Sequence, residues 1–166
     1  MKQKNILEAA AEILGLQAAS YPILRRCANL VLANIAANHR ECLATQTFDV
    51  TDGRIEYKDF KKTFLRVKSV STGTYSLFID FMQVHTPHSG SGINGRVEVT
   101  YCYIPAFSKK LGQAIRIPNL AEKTFIYGVI TEYALISGMF NEAKVWNEKF
   151  EAGLFQTSEK HKNLRW

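Results

Sequence analysis

Two histidines, His85 and His88, flank Thr86-Pro87 in the middle of this chain, and paired imidazoles this close can share a metal ion. A metal centre recruits a third and a fourth ligand. None is local, because Asp80 lies five residues before His85 and alternation along an extended segment sends it to the opposite face. The histidine pair therefore reads as loop surface, and neither a metal nor a cofactor is expected. The adjoining Ser89-Gly90-Ser91-Gly92 run has the flexibility of a phosphate cradle but lacks the following lysine and the strand-to-helix setting that would hold phosphates. It reads instead as a partner-facing loop that orders on assembly. No G-x-S-x-G, P-loop or H-E-x-x-H motif occurs anywhere in the chain, and the glycine spacing of Gly90-Ser91-Gly92-Ile93-Asn94-Gly95 stands before an expected strand rather than opening the helix that a dinucleotide fingerprint requires. Asp80, Glu98 and Glu132 are the carboxylates left for acid–base work, and each has an ordinary alternative on a solvated strand or helix. The expectation is a protein that is not an enzyme.

Two stretches could instead meet a macromolecule. Arg54, Lys58, Lys61, Lys62, Arg66 and Lys68 fall within fifteen positions against only Glu56 and Asp59, and Tyr57, Phe60 and Phe64 are interleaved with them. Cations beside aromatic rings can bind single-stranded nucleic acid through phosphates and stacked bases. The same pattern describes a half-buried edge segment whose rings serve the core, which is the preferred reading. The other stretch is the C-terminal run containing Lys160, Lys162, Leu164, Arg165 and Trp166. It is either a disordered tail or a docking peptide anchored by its terminal aromatic.

The whole chain, 166 residues and 46% hydrophobic, is long enough for one domain with a real core. Its 21 Lys and Arg against 15 Asp and Glu leave +6, which permits an acidic partner without requiring one. Cys27, Cys42 and Cys102 are odd in number and widely spaced, which suits reduced, buried thiols. Glu8 and Glu12 interrupt the first apolar run, so it reads as an amphipathic helix rather than a signal peptide, and no stretch has the length of a membrane span.

Elements that position these residues follow from periodicity. Helices are expected over 5–15 and 21–39, the second with Pro22 in its first turn and Leu24, Cys27, Ala28, Val31 and Ile35 on one face. From residue 47 the period becomes two. A short hairpin turning at Asp52-Gly53 would pair Phe48 and Val50 with Ile55 and Tyr57. Strands over 63–70, 75–85 and 96–104 would then form an antiparallel meander with the most apolar strand in its middle, ending at Pro105. Residues 106–118 connect to a helix over 119–137, capped by Asn119 with Glu122 and striped by Phe125, Ile126, Val129, Tyr133 and Ile136. Gly138 stops it, and a last helix over 141–155 carries Ala143, Trp146, Phe150 and Leu154. The result is a single α+β domain over 1–155, a helical bundle with a β insertion at 47–105, followed by a flexible tail at 156–166.

This order resembles the head-to-tail adaptor, or connector, proteins of tailed bacteriophages. The resemblance is carried by the stretch from Tyr21 to Leu32, by Gly53-Arg54-Ile55-Glu56-Tyr57, by Gly95 to Pro105, by Tyr127 to Ala134 and by Phe140 to Trp146. It implies a structural virion protein, made in the host cytoplasm, that forms a ring beneath the portal, extends the DNA channel without reading DNA sequence, and offers an attachment site to the tail or a stopper protein. Carried onto this chain, the helices around Phe125 to Phe155 would be the ring core, residues 156–166 the portal-gripping segment, and Ser89 to Gly95 a loop facing the next component. Many adaptors are almost wholly helical, so the β insertion is a departure from that pattern. The alternative is an independent nucleic-acid-binding domain using the basic 54–68 segment.

Overall fold

The structure, a computed structural model, describes residues 1–50, 55–71, 76–77, 95–108 and 112–162, with the backbone alone described at 76–77, 95 and 156–162. The chain divides into two compact units, one of Met1–Arg40 with Pro105–Trp166 and one of Glu41–Ile104. The first is helical and the second is a sheet inserted into it, so the class is α+β.

The helical unit contains α1 (Gln3–Ile13), α2 (Tyr21–Asn38), α3 (Glu122–Ile136) and α4 (Phe140–Lys162). Helix α1 starts earlier than its sequence pattern, because the connector pairs with the chain's first residues: Gln3 N–H donates to the Gln113 carbonyl at 3.1 Å, and Ile115 N–H to the Met1 carbonyl at 2.9 Å. It buries Ile6, Leu7, Ala10 and Ala11. All five residues of the α2 stripe are buried, as the three-and-four spacing requires. Helix α3 packs against α1, α2 and α4. A helix surrounded in this way must be apolar nearly all round, and Phe125, Ile126, Gly128, Val129, Ile130 and Ala134 are all buried.

Three details of this unit correct the sequence reading. Asn119 is not a cap: its φ of 52° places it in the left-handed region, and the N-cap residue is Ala121, with no side-chain cap bond. Asparagine tolerates that conformation better than most residues, so Pro118-Asn119 acts as a bend ahead of the helix. Ile136, assigned to the buried stripe, is 50% exposed. Finally, α4 does not end at 155 but continues to Lys162, so the first part of the expected tail is helical backbone. Gly138 does end the preceding helix as expected, at φ 74°, and its neighbour Met139 donates to the Ala134 carbonyl at 2.8 Å.

The inserted unit contains β1 (Leu43–Val50), β2 (Phe64–Ser71), β3 (Ser76–Leu77) and β4 (Gly95–Tyr103), arranged antiparallel in the order β1-β4-β2-β3. This is not the order of a simple meander, since β4 lies between β1 and β2. Nor does β1 pair with the residues that follow it. It runs from Leu43 opposite Cys102 to Val50 opposite Gly95. Ile55 and Glu56 are not part of a strand, and Tyr57–Asp59 is a 3-10 turn closed by reciprocal bonds between Glu56 and Asp59. The proposed turn residues 51–54 lie outside the described residues, as does the stretch from 78 to 94.

What the expected hairpin strand does instead is cross the sheet's apolar face. Phe60 meets Phe48, Tyr101 and Phe64 at ring distances of 5.0, 4.7 and 4.6 Å. Gln46 latches the crossing segment in place, its amide donating to the Asp59 carbonyl at 2.8 Å and its carbonyl accepting from Lys61 N–H at 2.9 Å. Beneath lie Val50, Val70, Val97, Val99 and Tyr101, the buried centre of this unit.

Candidate functional site

The basic segment folds so that most of its described charge is already engaged. Glu41, just ahead of β1, accepts from Arg66 at 2.8 Å and from Lys68 at 3.0 and 3.1 Å. The hydrogen bond from Lys68, with that from Arg66 behind it, holds the Glu41 carboxyl below its ordinary range. Lys58 pairs with Glu56, and Lys62 lies 3.9 Å over the Tyr103 ring. Exposed Lys61 has no ion pair among the described residues, and Arg54 lies outside them. An open depression of about 660 Å³ is lined by Tyr57, Phe60, Lys61, Lys62 and Phe64. Of its rings only Tyr57 is largely exposed, at 58%, because Phe60 and Phe64 pack onto Tyr101. The interleaved aromatics thus serve the core, and stacking platforms for bases are few.

The more distinctive surface is the α3–α4 hairpin. Leu135 and Ile136 close α3, Phe140 opens α4, and their exposures are 45%, 50% and 69%. The turn between them is only Ser137, Gly138 and Met139, so the three residues lie at the same end of the hairpin. Further along α4, Phe155 is 67% exposed, on the helix whose Phe150 and Leu154 are buried. The two helices are joined tightly above this tip. Gly128 sits against Val31 and Phe150, and Gly153 sits against Thr124, at separations too short for an added methyl group. On the outer side Tyr127 and Trp146 meet at 5.4 Å, with Lys149 Nζ 4.1 Å over the indole. Sequence reasoning identified the hairpin but missed its apolar tip, although Met139-Phe140 directly after the Gly138 stop was a signal.

The remaining candidates divide between described and undescribed residues. Lys160 and Lys162 are on the α4 backbone; Leu164, Arg165 and Trp166, the Ser89-Gly90-Ser91-Gly92 loop, His85, His88 and Asp80 lie outside the described residues. Glu98 is an exposed β4 residue opposite Thr47. Glu132, half-buried on α3, has its carboxyl pushed up by burial, and burial together with that carboxylate pushes the Cys27 thiol up to about 11. Cys42 is raised as well, by burial and then by Cys102, and all three thiols are free and buried, as expected. Among the described residues no three His, Cys, Asp or Glu side chains are placed to hold a metal, and no helix is long and apolar enough to cross a membrane. No protein-family model matches the chain, and no curated protein matches it in sequence.

Proposed function

We propose that this protein is a non-enzymatic assembly component, a head-to-tail adaptor of a tailed-phage virion. In this reading it forms a ring beneath the portal protein, extends the DNA channel without binding DNA sequence-specifically, and provides the attachment site for the tail or a stopper protein. The observation that carries the reading is the α3–α4 hairpin. Its tip presents Leu135, Ile136 and Phe140 to solvent, and α4 continues past Phe155 toward the C-terminal segment. Large apolar side chains gathered at one exposed point favour burial against another protein. The rigid base of the hairpin, where Gly128 and Gly153 allow close approach, holds that point in a fixed position.

Arg66 and Lys68 share the Glu41 carboxylate, which lowers by one charge the positive surface that the alternative, an independent nucleic-acid domain, would offer to phosphate. Mixing the protein with a portal ring from the same genome tests the proposal. Addition of several copies to the portal, tolerant of salt and lost when residues 156–166 are deleted, is the expected result. Salt-sensitive binding to DNA with no portal association would replace the adaptor reading with the nucleic-acid one.

A further inference from the structure

Among the described residues of the sheet unit, β1 is an edge strand, the last in the order β1-β4-β2-β3. Tyr103 N–H donates to the Cys42 carbonyl at 2.9 Å, so even-numbered residues of this strand turn their backbone groups toward β4. Leu43, Thr45, Thr47 and Asp49 therefore direct theirs outward, and these four residues also have exposed side chains. Natural edges of this length are usually blunted by lysine, proline or a bulge. Here the sequence Leu43-Ala44-Thr45-Gln46-Thr47-Phe48-Asp49-Val50 contains neither lysine nor proline, and its register with β4 runs without a shift, whereas β2 and β4 show two register shifts.

We propose that β1 is a self-pairing strand, and that a second copy of this chain adds its own β1 antiparallel to this edge, joining two sheets across a two-fold axis. Outward-facing residues must meet outward-facing residues, and the register that pairs all four of them sets Gln46 on the axis. That register opposes Thr45 to the partner's Thr47 on the polar face, a hydroxyl pair like the 3.0 Å contact Thr45 already makes with Thr100. On the apolar face it opposes Ala44 to the partner's Phe48, small against large. The strand's only charge, Asp49, faces the partner's Leu43 rather than another Asp49, so no like charges meet. Such a contact is isologous and consumes the edge in a pair, which makes it separate from the head-to-tail contacts that close a ring. It stands or falls independently of the adaptor reading.

The test uses the full chain, with residue-resolved amide exchange and light scattering from low-micromolar to near-millimolar concentration. The amides of Ala44, Gln46, Phe48 and Val50 should be protected throughout. Those of Leu43, Thr45, Thr47 and Asp49 should slow by about tenfold or more as dimer forms. Thr47→Pro removes an outward N–H and spares the β4 ladder, so it should yield a monomer whose even-numbered amides stay protected. Thr45→Lys, which keeps every backbone group, should give the same result through charge at the edge. A chain that is monomeric at all concentrations overturns the proposal, as does a dimer whose odd-numbered amides exchange freely. Protection of those amides only when a portal ring is added would assign the edge to a foreign strand and also overturn it.

Discussion

Replacing Gly153 with alanine places a methyl group where α4 crosses α3. The new Cβ would lie 2.3 Å from Thr124 Oγ1, 2.7 Å from its Cγ2 and 3.0 Å from its Cβ. Rotating Thr124 moves its hydroxyl and methyl but not its Cβ, and at 5% exposure the side chain has little room to swing into. Relief requires the two helices to separate, which opens space around Phe150 and Leu154. Overpacking of this kind costs about 1–3 kcal/mol, while exchanging glycine for alanine within a helix returns roughly 0.5–1 kcal/mol. Gly153→Ala should therefore lower stability by up to about 2.5 kcal/mol, the difference of those two ranges spanning roughly 0–2.5 kcal/mol. Thr124→Ala removes two of the three short contacts, so the double variant should recover most of the loss and show a coupling of about 1 kcal/mol or more. Urea denaturation followed by far-ultraviolet circular dichroism reads all four corners of the cycle. A Gly153→Ala protein that gains the helix-propensity increment, with additive effects in the double variant, would refute the close approach of α3 and α4.

Other consequences can be checked independently. Burial raises the Glu132 pKa in the folded chain above its unfolded value, so folding is favoured in acid and that contribution is lost as pH rises through the folded pKa. Glu132→Gln should accordingly melt higher than the parent near neutral pH and converge with it in acid; parallel melting curves at every pH would contradict this. With its pKa at about 11 and its side chain fully buried, Cys27 should resist alkylation in native protein at pH 8 and react on unfolding, so rapid labelling by mass spectrometry would contradict its placement. Ile136→Ser with Phe140→Ser should change stability by less than about 1 kcal/mol, since both side chains are at least half exposed, yet abolish addition to the portal. Retained portal binding by that variant would remove the hairpin tip from the interface.

Local patterns were legible where burial is decided within one element. The α2 stripe and the Ala143, Phe150 and Leu154 stripe of α4 are read directly from spacing, because a helix buries whichever face is apolar. Ile136 marks the limit of that reasoning: its period matches the stripe, but its neighbours end before it does. Asn119 and Glu122 have the spacing of a capping box, and only the backbone angle distinguishes a cap from a left-handed bend. In the sheet the misreading has a longer reach. An Asp-Gly turn signal is local, whereas β1 finds its partner at Gly95 to Cys102, about fifty residues away, a pairing no short window records. A separation of 25 to 27 residues likewise hides Glu41 from Arg66 and Lys68, which share its carboxylate. Exposure of the hairpin tip depends on what surrounds it, which periodicity does not encode.

The adaptor proposal is tested most directly by the mass of the protein in solution with a portal ring from the same genome, measured by light scattering at low and high salt. The account predicts a stable complex carrying several copies per portal at both salt concentrations, lost with Ile136→Ser and Phe140→Ser. A portal whose mass is unchanged at either salt concentration would contradict it.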